Sequence, residues 1–266
     1  MMPEMCVALL TPFTASGDVA LHAVEMHVEF LIARGVTSLM PCGTTGEGML
    51  LDSREMVDVV RCVARVAGGR AHVLAHVGRP STRETVALAH RVLEMGVAAV
   101  SAVVPYYYKY SDAQIRDHYL ALVGAVSAPV YAYTIPERTG NTLSSRVVRE
   151  LADAGLKGVK DSSKSLAVHR EYLGVGVDVL MGSDALVLEA FRLGAAGAVS
   201  AIANIEPTLL LELAKCFALE PASALQARIV AIRERTRAST SAIAAMKGEL
   251  AARLPGYPVH TRAPLS

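Results

Sequence analysis

Eight short apolar runs recur along the chain, each followed by a stretch of helical period, and this rhythm restricts the fold more than any other feature. The runs lie at 5–10, 37–41, 71–77, 98–104, 129–133, 158–160, 177–181 and 198–200. Each is brief, rich in Val, Ile, Leu or Ala and poor in charge, as strands buried on both faces of a parallel sheet must be. The intervening stretches carry helix-start signals. Ser81 with Glu84, and Ser111 with Gln114, have the spacing of capping boxes, in which the hydroxyl accepts from an orphan backbone N–H and the acid or amide reaches back. Asp184 stands where it would cap a helix over 185–193 that stops at Gly194. Eight strand–helix units without a low-complexity linker predict an α/β fold, a (β/α)8 TIM barrel. An open doubly wound sheet alternates in the same way, but the count of eight favours closure. After the eighth unit the strand signal ends, and 222–235 and 239–254 read as helices, a small C-terminal α-helical appendix. The expected division is a catalytic barrel over 1–220 and a helical segment over 221–266, with Pro221 at the boundary.

Composition agrees with this reading. At 266 residues the chain exceeds the ~150 of an average domain, but α/β barrels reach this length as one unit. With 52% hydrophobic residues and only 19% charged, it has the material for a large core. A net charge of +1 implies neither a nucleic-acid surface nor a polybasic membrane patch. Mean hydropathy is +0.36, yet the longest apolar stretch, 95–108, is too short to span a bilayer and contains Gly96, Ser101 and Pro105. The first ten residues carry Glu4 and no basic region, so no secretory leader is expected. Cys6, Cys42, Cys62 and Cys216 form no C-x-x-C pair, which argues against zinc and a disulfide framework and suits a reducing cytoplasm.

In such barrels the chemistry comes from the C-terminal ends of the strands and the loops beyond them. The second run leads into C-G-T-T-G-E-G at 42–48, where glycines flank two adjacent hydroxyls and allow a tight turn that presents donors to an anion. The fourth ends in P-Y-Y-Y-K at 105–109; the fifth holds Tyr131 and Tyr133 and runs into I-P-E-R-T-G at 135–140. The sixth ends at Lys160, a lysine in an apolar strand. Burial there disfavours the ammonium form, and a neutral amine attacks ketones to give a Schiff base, an electron sink. Alone, Lys160 reads better as a strand-end lysine paired with Asp161. Beside phenols and threonine hydroxyls at neighbouring strand ends, the catalytic reading prevails. Tyr133 is one strand away and placed to exchange protons with a carbinolamine, or else is a core tyrosine with a satisfied hydroxyl. The planar fork of Arg138 suits a substrate carboxylate, or else pairs with Glu137 or Glu47. His72 and His76 share one strand face, but no further ligands complete a metal site, so packing or hydrogen bonding explains them better. An anion-loop enzyme using nucleotides lacks support, since neither a Walker pattern nor a strand-borne G-x-G-x-x-G is present.

P-C-G-T-T-G-E-G, V-P-Y-Y-Y-K, Y-A-Y-T-I-P-E-R-T-G and G-V-K-D-S-S, with A-L-L-T-P-F at 8–13 and M-G-S-D-A at 181–185, resemble in order and spacing the dihydrodipicolinate synthase/N-acetylneuraminate lyase family. The resemblance implies the same barrel, in a homo-oligomer built from tight dimers, and a cofactor-free and metal-free reaction. Pyruvate or another 2-oxo acid would combine with an aldehyde. It makes Lys160 the Schiff-base lysine and Tyr133 the general acid/base. Thr44 then links Tyr133 to Tyr107, which is lent across the dimer interface. Gly43, the Thr44 backbone and Thr45 would hold the pyruvate carboxylate, Arg138 the carboxylate of the second substrate, and the Val199 carbonyl would orient it.

Some positions differ from the synthase pattern. Thr134 stands where Asn is common, while Asp161–Ser162 and Tyr108 resemble the sugar-acid aldolase branches. Gly48, Met49, Ser53, Met56 and Pro80 replace the polar residues of a lysine feedback site, where only Tyr106 and Glu84 match, so no inhibition by lysine is expected. The chain ends soon after P-V-H-T-R-A-P-L, so a shortened appendix and a weakened tetramer are expected.

Overall fold

The computed structural model describes residues 2–265 and closes the eight runs into one barrel. Its strands are β1 (Glu4–Ala8), β2 (Ser38–Met40), β3 (His72–His76), β4 (Ala99–Val103), β5 (Val130–Thr134), β6 (Gly158–Asp161), β7 (Asp178–Met181) and β8 (Gly197–Ser200). Each is parallel to the next, and β8 returns to pair with β1, so no edge is left open. Around them run α1 (Leu21–Ile32), α2 (Ser53–Ala67), α3 (Thr82–Leu93), α4 (Asp112–Ala125), the single turn α5 (Pro136–Thr139), α6 (Ser145–Asp153), α7 (Leu166–Leu173), α8 (Val187–Arg192) and α9 (Pro207–Cys216). Two more, α10 (Ala222–Arg237) and α11 (Ala242–Ala251), follow where the appendix was expected. Among the described residues no helix is long and apolar enough to cross a membrane.

The runs are largely apolar because each strand feeds two cores. Val7, Leu39, Val100, Ala132, Val159 and Val179 face the helices, whereas Cys6, Met40, Leu74, Val103, Tyr133, Leu180 and Val199 pack inside the barrel. Ala222, Ile229, Met246 and Leu250 of α10 and α11 are buried in the outer core with the barrel helices. Gln226 of α10 also bonds the barrel directly, accepting from Leu188 N at 3.0 Å and donating to the Asp184 carbonyl at 2.9 Å. We therefore propose that residues 221–266 act as a cover continuous with the barrel over 1–220, not as an independently folding unit.

The start signals are realised to different degrees. Ser111 and Gln114 form the full reciprocal box, but Ser81 only accepts from Glu84 N at 3.2 Å and receives nothing back. The Asp184 expectation is corrected. It opens a short 3-10 turn, Asp184–Leu186, ahead of α8, and makes no cap. Its carboxylate instead accepts from the Ser200 hydroxyl and from Ala201 N and Ile202 N, both at 3.3 Å, tying the loop after β7 to the end of β8.

Four histidines are buried in this scaffold, His27, His76, His118 and His169. Burial pushes His27 and His118 down to about 4 and His76, further opposed by Lys160 and Arg79, down to about 3. Below the unfolded value of about 6.5 the unfolded chain binds protons that these folded imidazoles refuse, so stability is lost as pH falls from there towards 4. At pH 5.5 the loss is roughly 1–2 kcal/mol for each residue. Urea midpoints at pH 7.5 and 5.5 measure the effect, and equal midpoints would contradict it.

Candidate active site

Parallel register sets the central geometry. Tyr133 on β5 pairs with Lys160 on β6, so both side chains point into the barrel at one height, near its C-terminal end. The Lys160 Nζ lies 4.0 Å from the centre of the Tyr133 ring. The Tyr133 hydroxyl shares a 3.0 Å hydrogen bond with Thr44 Oγ1. Lys160 is only 4% exposed, and its Nζ donates solely to Met40 Sδ, at 3.5 Å, among the described residues. The pairing with Asp161 does not occur. That carboxylate faces outward, bonded to His169 Nδ1 at 3.0 Å and accepting from Ser163 N at 2.8 Å. A buried amine without a counter-charge is costly unless its task requires it.

The Thr44–Thr45 loop is held by close backbone contact. The left-handed backbone of this turn falls on Cys42 (φ 61°) and Glu47 (φ 54°), not on its glycines. Gly46 and Gly48 serve close approach: a Cβ on Gly46 would lie 2.7 Å from the Leu9 carbonyl, and one on Gly48 1.8 Å from that of Cys42. Gly43 accepts from Gly48 N at 3.0 Å and does not line the cavity, so it braces the loop.

A cavity of about 200 Å³ opens above Lys160. Tyr133, Lys160, Thr44, Thr45, Arg138 and Val199 all line it, so six of the eight expected residues converge. Tyr107 does not join them. It is 85% exposed on the surface, with φ 82°, its ring edge-on to Tyr108. Arg138 pairs with neither expected partner, because Lys164 takes Glu137 and Lys247 takes Glu47. Thr134 is fully buried on the outward face of β5 and does not line the cavity. His72 and His76 lie at opposite ends of β3, the first exposed near Glu4 and the second buried edge-on against the Tyr133 ring, 5.8 Å between centroids.

The comparisons with known proteins agree with the barrel fold. The model of the dihydrodipicolinate synthetase family matches residues 1–266. The chain belongs to that family. Among curated relatives, a 4-hydroxy-tetrahydrodipicolinate synthase of Sorangium cellulosum is 40% identical over 206 residues, 75% of this chain and 68% of the relative. An uncharacterised DapA-like lyase of Halobacterium salinarum is 38% identical over 216 residues, 79% and 70% of the two chains. The crystal structure of dihydrodipicolinate synthase from Aquifex aeolicus superposes with a TM-score of 0.93 at 27% identity, covering 100% of this chain and 92% of that one. The family member YagE from E. coli K12, solved with pyruvate, gives 0.94 at 26% identity, covering 100% and 93%. Membership makes the chain a lyase.

Within this family site, sequence reasoning missed the roof. Arg233, Thr236 and Arg237 of α10, and Ile243 and Met246 of α11, close the cavity from above. No strand-end rule points to them, since they follow the eighth unit. Their only signal was two helices with nothing else to cover.

Proposed function

We propose that this lyase forms a Schiff base between Lys160 and pyruvate or a related 2-oxo acid, and joins that acid to an aldehyde or releases it. One observation carries the reading: a buried amine with no carboxylate partner stands over a phenol that is itself bonded to a threonine hydroxyl. The neutral Lys160 amine attacks the 2-oxo carbon to give a carbinolamine. Tyr133 supplies the proton with which the hydroxyl leaves as water, and the iminium remains. The iminium draws electrons from C3, which loses a proton to become an enamine. The enamine carbon bonds the aldehyde carbon, and water then hydrolyses the adduct and frees Lys160. Each positioned proton transfer contributes roughly 10²–10⁴ in rate. Thr45 and the Thr44 backbone hold the 2-oxo carboxylate, the Val199 carbonyl orients the substrate, and Arg138 takes the second substrate's acid group.

The names of the relatives favour the 4-hydroxy-tetrahydrodipicolinate synthase reaction. A second reading, a 2-keto-3-deoxy sugar acid aldolase or a relative of N-acetylneuraminate lyase, is favoured by the cavity itself, in which both carboxylates are already engaged and none is free for an amino group. Tyr107, exposed with strained backbone, suits a residue that completes the site of a neighbouring subunit, so a homo-oligomer belongs to the same proposal. So does a cytoplasmic setting, which fits four free cysteines. Borohydride reduction in the presence of pyruvate is expected to fix a reduced adduct on the Lys160 peptide, located by mass spectrometry. No adduct, or an adduct elsewhere, would favour a catalytically silent binding or regulatory relative.

A further inference from the structure

The charge of the cavity is lopsided. Five basic side chains line it (Arg138, Lys160, Lys164, Arg233 and Arg237) against two acidic ones, Glu137 and Asp184. Both acids are already engaged, and two do not balance five. Glu137 is ion-paired with Lys164. Asp184 is taken by Ser200, Ala201 and Ile202 in a site whose burial raises its pKa. Arg138 and Arg237 make no side-chain hydrogen bond or ion pair among the described residues, and both lie near enough to Glu137 to help Lys164 hold its carboxyl low. Arg233 is 16% exposed, and its ion pair is with the adjacent, 61% exposed Glu234. Such a rim pair contributes little and leaves the other guanidinium donors available. Three guanidinium groups from α5 and α10 thus face one mouth, with Ile243 and Met246 closing the cavity beside them.

Resting on the Schiff-base reading, we propose that the aldehyde partner carries an anionic group remote from its carbonyl, and that Arg233 and Arg237 of α10, beside Arg138, receive it. Lys160 and Thr45 are committed to the 2-oxo acid, so the roof arginines are left for the second substrate. Planar guanidinium forks match carboxylate and phosphate oxygens two at a time, and either group satisfies the site. An aldehyde bearing an ammonium would meet surplus positive charge with no free carboxylate to answer it.

Two matched pairs of acceptors test this with pyruvate: glyceraldehyde 3-phosphate against glyceraldehyde, and succinate semialdehyde against butanal. The protein is expected to prefer the anionic member of at least one pair by about tenfold or more in kcat/KM, the gap narrowing as salt rises. In Arg233→Gln/Arg237→Gln the ratio within that pair should collapse towards one, and the Arg237→Lys variant should keep part of it. A preference confined to the phosphate pair assigns a phosphorylated aldehyde, and one confined to the other pair an aldehyde acid. Absence of preference in the unaltered protein, or a preference that survives the double substitution, would overturn the inference. Borohydride trapping with pyruvate is run on every sample. An adduct shows that each variant is folded and the Schiff-base reading intact, whereas an unaltered protein without adduct fails at that earlier step.

Discussion

Lys160→Ala is expected to lose about 10⁴-fold or more in turnover, because a nucleophile that forms the covalent intermediate has no substitute nearby. Met40 and Tyr133 lie against the amine, and neither can form an iminium with a ketone; the other lysine of the cavity, Lys164, is held in an ion pair by Glu137. Lys160→Arg should be equally inactive, although it keeps a cation in place, since a guanidinium is not a nucleophile at neutral pH. The fold should tolerate either loss. Among the described residues the amine donates only to a thioether and has no counter-charge, so removing it sacrifices no ion pair there. Steady-state turnover with pyruvate and an aldehyde, read beside the far-UV circular dichroism of each variant, tests this. Full turnover in a folded Lys160→Ala protein would end the mechanism.

Much of the barrel was legible because most runs are apolar on both faces, as a doubly buried strand requires. All eight runs overlap a strand, and most strands are shorter because the outer residues of a run turn into loops, as Leu9, Leu10 and Pro41 do around β1 and β2. Local signals were less secure where a long-range partner competed for the same group. Asp184 had the right residue and spacing for a cap, but the donors at Ser200, Ala201 and Ile202 took its carboxylate. In the G-T-T-G-E-G loop the glycines were read as turn formers, whereas Gly46 and Gly48 are there because other backbone passes too close for a Cβ.

The site divides along the same line. Lys160, Tyr133, Thr44, Thr45, Arg138 and Val199 sit at or just beyond strand ends, where chain order alone predicts convergence. Arg233 and Arg237 were not legible, since a helix after the last strand can lie against any face of the barrel until its contacts are known. Nor was the competition among charges. Asp161 beside Lys160, and Glu137 beside Arg138, looked like partners in the sequence but are held by His169 and Lys164.

The C-terminal segment also holds the Thr44–Thr45 loop, which leads to the largest expected effect on stability. Glu47, two residues beyond Thr45, receives Lys247 Nζ of α11 at 2.6 Å and Arg262 N at 2.8 Å. The Glu47 and Lys247 side chains are fully buried, and the lysine also donates to the His260 carbonyl at 2.7 Å. Arg262 meanwhile grips Glu55 and the Leu50 carbonyl beside the same loop. Lys247→Met would strand the Glu47 carboxylate in the interior with one backbone donor, a loss of about 3–5 kcal/mol. The double variant Glu47→Gln/Lys247→Met removes the stranded charge and should recover a good part of that loss, so the two substitutions must be strongly non-additive. Because Glu47 anchors the turn that carries Thr44 and Thr45, Lys247→Met should also raise KM for pyruvate while leaving Lys160 able to form its adduct. Denaturant midpoints for the two single variants and the double settle the energetic part. Additive losses, or a Lys247→Met protein within about 1 kcal/mol of the parent, would mean that the buried pair does not hold the loop.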